Sequence, residues 1–157
     1  MQYTITAFAE NKPGVLYRIA DLFLRRKINV DSMTVSETER KGISRFTIVV
    51  NTNKDIVEKI CKQLYRIIEV VKVFDNEDKD LIYKEIALIK VHARNLSVRK
   101  EIENFVNLNT GKIIQVNKNF LIIEKVGSEK DIDNLYSLLA SFGIKEFIRS
   151  GRIAVTK

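Results

Sequence analysis

Apolar and polar residues alternate at the start of the chain, with Tyr3, Ile5 and Ala7 on one side and Thr4 and Thr6 on the other. A period of two predicts a strand with one buried face. Glu10-Asn11-Lys12-Pro13-Gly14 breaks the alternation. Val15, Leu16, Ile19, Leu22 and Phe23 then recur at helical spacing, opposite Arg18, Asp21, Arg25 and Arg26, as an amphipathic helix requires. Asn29 to Thr38 reads as a second strand, and the polar Glu39-Arg40-Lys41-Gly42 suits a hairpin connection. Ser44 to Asn51 is a third strand rich in β-branched residues. Asn53 fits the N-cap of a helix with Ile56, Ile60 and Leu64 spaced four apart, and Val70 to Phe74 forms a fourth strand.

Asp75-Asn76-Glu77-Asp78-Lys79-Asp80 contains no apolar residue and is the best linker candidate. Beyond it the same order returns: a strand over Ile86 to Val91, a helix over Val98 to Val106, and strands over Lys112 to Val116 and Phe120 to Val126. Ser128 and Asp131 stand at capping-box distance before a helix whose buried stripe is Ile132, Leu135, Leu138 and Leu139. Gly143 fits its C-terminal cap, and a strand over Ile144 to Ile148 precedes a short Ile153-Ala154-Val155 segment. The fold class is therefore α+β: two ferredoxin-like βαββαβ units, each with two helices on one face of a four-stranded antiparallel sheet. The units are drawn at residues 1–76 and 84–157, with 77–83 as linker. All six glycines fall at junctions between elements, so punctuation and periodicity agree.

A hydrophobic content of 45% and a charged content of 30% are ordinary for a soluble globular protein. No apolar run reaches the roughly 18–20 residues that cross a bilayer, and Met1 to Thr6 lacks the layout of a signal peptide. A cytoplasmic protein without a membrane association is expected. Cys61 is the only cysteine, so no internal disulfide can form. The net charge of +7 raises the question of nucleic acid. Residues 1–76 carry 13 Lys+Arg against 9 Asp+Glu, and residues 77–157 carry 14 against 11, so the excess is spread along the chain. RNA-recognition modules share the βαββαβ order but stack bases on aromatics of their first and third strands. Here Ile43 and Arg45 occupy the first two such positions of the third strand. No nucleic-acid partner is expected.

Signs of catalysis are also lacking. His92 is the only histidine, at the end of an apolar strand, and Cys61 follows a buried-stripe position without a neighbouring base. The ligands of a zinc site and the glycine loops that cradle phosphates or dinucleotides do not occur. One junction has a specific capacity. A helix N-terminus offers unpaired N–H groups and a partial positive charge, which favour a carboxylate. Gly14 lets a ligand approach the backbone there, and Asn11 supplies a donor and an acceptor beside it. A plain strand-to-helix turn would use the same residues.

Glu10-Asn11-x-x-Gly14-Val15-Leu16-x-Arg18, followed by Arg25-Arg26-x-Ile28-Asn29-Val30-Asp31-Ser32-Met33-Thr34-Val35, resembles the amino-terminal ACT domain of the acetolactate (acetohydroxyacid) synthase small subunit. Lys84 to Val91 is similar to the strand that opens that family's second domain, and Ile148-Arg149-Ser150-Gly151 to its closing motif. The resemblance implies a non-catalytic regulatory subunit that activates a catalytic subunit and confers feedback inhibition by valine or another branched-chain amino acid. It implies a homodimer through ACT domains paired side by side. Asn11, Gly14, Val15 and Leu16 would hold the amino acid's polar end, while Asn29 and Val30 complete the site from the second subunit. Thiamine diphosphate, a divalent metal and FAD are implied on the catalytic partner, and no cofactor or metal on this chain. Lys27 departs from the family, where many members have Gly. A stand-alone ACT-type amino-acid sensor serving another enzyme or a transcriptional regulator is the alternative.

Overall fold

The opening alternation forms β1 (Gln2–Glu10), and the break at Glu10–Gly14 leads into α1 (Val15–Arg25). There follow β2 (Val30–Glu37), β3 (Ile43–Asn51), α2 (Lys54–Leu64) and β4 (Val70–Glu77). The computed structural model describes residues 1–157. The strands form an antiparallel sheet in the order β2-β3-β1-β4. Tyr3, Ile5 and Ala7 face a core with Phe46, Ile48 and Val50 of β3, into which the helices turn Val15, Ile19 and Phe23 and Val57, Ile60 and Leu64. Asn53 caps α2 by accepting from the Ile56 N–H at 3.0 Å.

Two expectations for these elements need correction. Leu16, placed on the buried stripe of α1, is 52% exposed, because Val15, Ile19 and Phe23 at i, i+4 and i+8 already fill the stripe. The second face of β1 is also covered: Thr4 and Thr6 are buried.

α1 ends in a paired reversal: the Lys27 N–H donates to Leu24 O at 2.9 Å and the Ile28 N–H to Phe23 O at 3.1 Å. This is a Schellman arrangement, which puts the residue after the cap in the left-handed region. Lys27 sits there at φ 55°, a conformation that glycine adopts without strain. A left-handed non-glycine residue costs roughly 1–2 kcal/mol, part of which glycine gives back as unfolded-chain entropy. Lys27→Gly is expected to stabilise the protein by about 0.5–1 kcal/mol in urea unfolding. Thr110 repeats the arrangement at φ 54° after α3 (Leu96–Leu108).

The charged run is not a free linker. Asp75, Asn76 and Glu77 continue β4 opposite Ile5, Thr4 and Tyr3, Asp78–Asp80 make one 3-10 turn, and Leu81 already opens β5 (Leu81–His92). Two compact units result: residues 1–82 with 152–157, and residues 83–151. The last six residues therefore belong with the first unit rather than the second. Arg152 anchors them there: its side chain is fully buried and donates to Asp78 Oδ1 at 2.6 Å, Thr4 Oγ1 at 3.0 Å and Gln2 Oε1 at 3.1 Å. Its backbone N–H donates to Ser32 Oγ, its carbonyl accepts from the Thr34 hydroxyl, and Arg45 donates to the Ala154 carbonyl. These contacts cover the face of β1 that carries Thr4.

The second unit continues with α3, β6 (Lys112–Val116), β7 (Phe120–Gly127), α4 (Glu129–Leu139) and β8 (Ile144–Arg149). Its order, β6-β7-β5-β8, repeats that of the first sheet; β9 (Ile153–Thr156), which is counted with the first unit, pairs with β5 off this path, so that sheet has five strands where four were expected. Ile89, Val91, Leu121 and Ile123 meet Ile102, Val106, Leu135 and Leu139 in a separate core. Asn95 caps α3, and Ser128 with Asp131 forms the predicted capping box on α4. Leu138, expected in the buried stripe, is 39% exposed, since Ile132, Leu135 and Leu139 already supply the inward face. No helix is long and apolar enough to cross a membrane.

Candidate functional site

The Asn11–Gly14 loop is fastened to the sheet on both sides. The Glu10 N–H donates to Glu69 O at 2.9 Å, and the Asn11 N–H to Gly42 O at 2.8 Å. Gly14 is the N-cap of α1 at φ 86°, a conformation that favours glycine. No side chain caps the helix and its first turn holds no acidic residue, so the partial positive charge of this terminus is not answered within the turn. A Cβ added at Gly14 would meet nothing within 4 Å, so the space beside this backbone is open. The flanking charges are paired: Lys12 with Glu10, and Arg18 with Glu69 at 2.5 Å. The hydrogen bond to Glu10 raises the Lys12 ammonium pKa above its ordinary value, with the Glu10 charge as second cause. Glu69 is held below the usual carboxylate range, first by its own backbone N–H; of its neighbours, Arg18 acts most strongly in the same direction.

Of the six expected site residues, Asn11 and Gly14 are exposed in this loop and Leu16 is exposed on the first turn. The Val15 side chain is 2% exposed inside the core, so only its backbone is available to a ligand. Asn29 and Val30 lie elsewhere. Asn29 is exposed and donates to Asp31 Oδ1 at 3.3 Å, while Val30 opens β2 opposite Val50. Asn11 bonds to Gly42, just before β3, whereas Val50 is near the end of that strand. Eight residues of antiparallel strand span about 27 Å. One chain therefore does not bring the two groups together.

The other singled-out residues have structural surroundings. Cys61 is half-buried, with its sulfur 3.8 Å from Asp75 Oδ1, and burial first, then the Asp75 charge, pushes its thiol pKa up to about 12. It is a protonated packing residue at neutral pH. His92 is half-buried and takes the Gly143 carbonyl on its backbone N–H at 2.9 Å. Lys84 to Val91 and Ile148 to Gly151 meet each other: Leu88 pairs with Ile148, Ile86 and Ser150 exchange hydrogen bonds, and Arg149 binds the buried Glu85 as well as Asp133. Removing Arg149 strands Glu85 indoors. Arg149→Met is expected to cost about 2 kcal/mol in thermal unfolding, discounted from a fully buried pair because the guanidinium is partly exposed.

Both halves of the chain match family models, one described as the small subunit of acetolactate synthase over residues 84–157 and one as an AHAS small subunit-like ACT domain over residues 5–72. A Methanothermobacter thermautotrophicus protein named a probable acetolactate synthase small subunit is 41% identical over 155 residues, covering 99% of this chain and 92% of that protein. The chain belongs to the acetolactate synthase small-subunit family. The acetolactate synthase small subunit of Mycolicibacterium smegmatis is 38% identical over 155 residues, covering 99% of this chain and 91% of its own. The crystal structure of the acetolactate synthase small subunit from Thermotoga maritima superposes with a TM-score of 0.93 at 34% identity, over 100% of this chain and 98% of that one. All six expected site residues fall within the ACT-domain match. The Glu85–Arg149 pair falls within the small-subunit match and joins the opening and closing strings of that half. Arg152 and Asp78 escaped the sequence reading. The one signal was the short apolar segment after Gly151, and nothing local to it identifies its partner strand.

Proposed function

We propose that this chain is the regulatory subunit of acetolactate synthase, non-catalytic itself, which activates the catalytic subunit and makes it sensitive to valine or a related branched-chain amino acid. One observation carries the reading: an uncapped helix N-terminus at a left-handed Gly14, with open space beside it, in a chain of this family. The amino acid's carboxylate meets the first N–H groups of α1, and Asn11 receives its polar end. The exposed Leu16 is placed to meet its branched side chain.

Asn29 and Val30 complete the site from a second copy. In support, they lie too far from Asn11 within one chain, and β2 is an outer strand of its sheet with neither Pro nor Lys to blunt it. A two-fold β2-to-β2 pairing is isologous, so each copy gives the other what it lacks. The effector then bridges two chains and favours the paired state by its differential affinity, with coupling typically ~1–3 kcal/mol. The complex operates in the cytoplasm, with thiamine diphosphate, a divalent metal and FAD on the catalytic subunit.

Calorimetry of the full chain with valine, leucine and isoleucine tests the reading. Saturable heat with at least one of them, and sedimentation as a dimer, are the expected results. A catalytic subunit whose activity neither rises on adding this chain nor responds to any of the three would refute it.

A further inference from the structure

Several cations that look evenly spread along the sequence meet at one groove of the first unit. Arg18, Arg25 and Arg26 of α1 and Arg66 after α2 line one groove of about 770 Å³, with Leu22 and Ile67 among its apolar walls. Two of these guanidiniums are answered by carboxylates: Arg18 by Glu69 at 2.5 Å and Arg25 by Asp21 at 2.7 Å. Arg26 has only the neutral Gln63, to whose Oε1 its Nε donates at 2.7 Å. Arg66 makes no ion pair. The C-terminal dipoles of both helices offset part of this charge, about half a unit each, which leaves roughly one positive charge or more uncompensated beside an apolar wall.

We propose that this groove is a second ligand site, for a small organic phosphate. Two guanidiniums without carboxylate partners call for a dianion, and a phosphate monoester carries −1.5 to −2 near neutral pH where a carboxylate carries −1. Guanidinium forks match phosphate oxygens bidentately. The Gln63 contact to Nε holds the Arg26 fork in place and leaves its terminal N–H groups for a ligand. Leu22 and Ile67 suit a compact apolar portion of the same molecule. Arg18 opens the groove one turn beyond Gly14, but Arg26, whose guanidinium has no carboxylate, stands at the other end of α1, about 18 Å of helical rise from Gly14. The site is thus separate from the Asn11–Leu16 loop, and it stands whether or not that loop binds an amino acid. Arg26 immediately precedes the left-handed turn at Lys27 that leads to Asn29, so occupancy bears directly on the segment offered to a second copy.

The test is calorimetric titration of the full chain with phenyl phosphate, inorganic phosphate and benzoate at fixed ionic strength. Phenyl phosphate is expected to bind saturably and more tightly than the other two. Arg26→Gln and Arg66→Gln are each expected to weaken it about tenfold or more, the typical loss of a charge-assisted contact. Lys130→Gln, an equal charge change on α4, is expected to leave it within about twofold. Absence of saturable phenyl phosphate binding, equal affinity for benzoate, or a Lys130→Gln loss as large as those of the groove variants would each overturn the proposal. Folding of the variants is checked by their unfolding midpoints. Valine binding measured on the same samples separates failure of this groove from failure of the amino-acid site.

Discussion

Arg152→Met is expected to lower stability by about 2–3 kcal/mol, less than for stranding a fully buried charge because the Asp78 carboxylate keeps about a third of its surface in water. The guanidinium has no exposed surface, and it binds Asp78, Thr4 and Gln2 at once. Methionine fills much of the same volume but leaves the Asp78 carboxylate and the buried Thr4 hydroxyl without this donor. For a chain of this length each kcal/mol is worth about 2–4 °C, so scanning calorimetry should register a fall of about 4–12 °C. Arg152→Lys is expected to fall between, since a single ammonium cannot reach in three directions as the fork does. The pair Arg152→Met with Asp78→Leu should recover much of the loss, because apolar replacement of a buried pair is often close to neutral. A cost below about 1 kcal/mol for Arg152→Met would show that the tail adds little to the first unit.

This latch marks the boundary of what local sequence can reveal. Elements were legible wherever a periodic apolar stripe meets a specific cap: Asn53 before α2 and Ser128 with Asp131 before α4 start their helices where the sequence places them. The order of elements along the chain was legible from the repeat, since one register serves both halves. Contacts between positions about 150 apart leave no such trace. The charged run 75–80 reads as linker because it has no apolar residue, yet antiparallel pairing to β1 needs only backbone, and Asp78 is consumed by Arg152. The same blindness made Thr4 and Thr6 look like a solvent face. At the candidate site the residue types were legible and the dispositions were not. Val15 spends its side chain on the core, and Leu16 escapes the stripe by one position of helical phase. The separation of Asn29 from Asn11 depends on strand length and pairing, which no motif encodes. Clustering of arginines in the α1–α2 groove was hidden for a related reason: counting charges along a chain averages over the helix faces that bring residues 18, 26 and 66 together.

Gly14→Asp is expected to abolish the response to valine while leaving activation of the catalytic subunit intact, an outcome that follows from the proposed amino-acid site. Space does not oppose the substitution, since a Cβ there meets nothing within 4 Å. Aspartate is among the few residues that tolerate a left-handed conformation, so the strain stays near 1–2 kcal/mol. The new carboxylate stands where the effector's own carboxylate must dock, competes for the same N–H groups of α1, and repels it. Valine binding should weaken more than about 100-fold, as expected for a lost charge-assisted contact combined with like-charge repulsion. Gly14→Ala carries similar strain without the charge and should retain most of the affinity. A reconstituted Gly14→Asp complex with undiminished valine inhibition would remove the loop from consideration. Asn29→Ala is the complementary lesion, on the half supplied by the other copy. Mixing Gly14→Asp chains with Asn29→Ala chains puts both lesions into one site of each hybrid dimer and leaves the other site intact. With random exchange between isologous dimers, about a quarter of all sites regain valine binding. If a single chain supplied both halves, mixing would restore none.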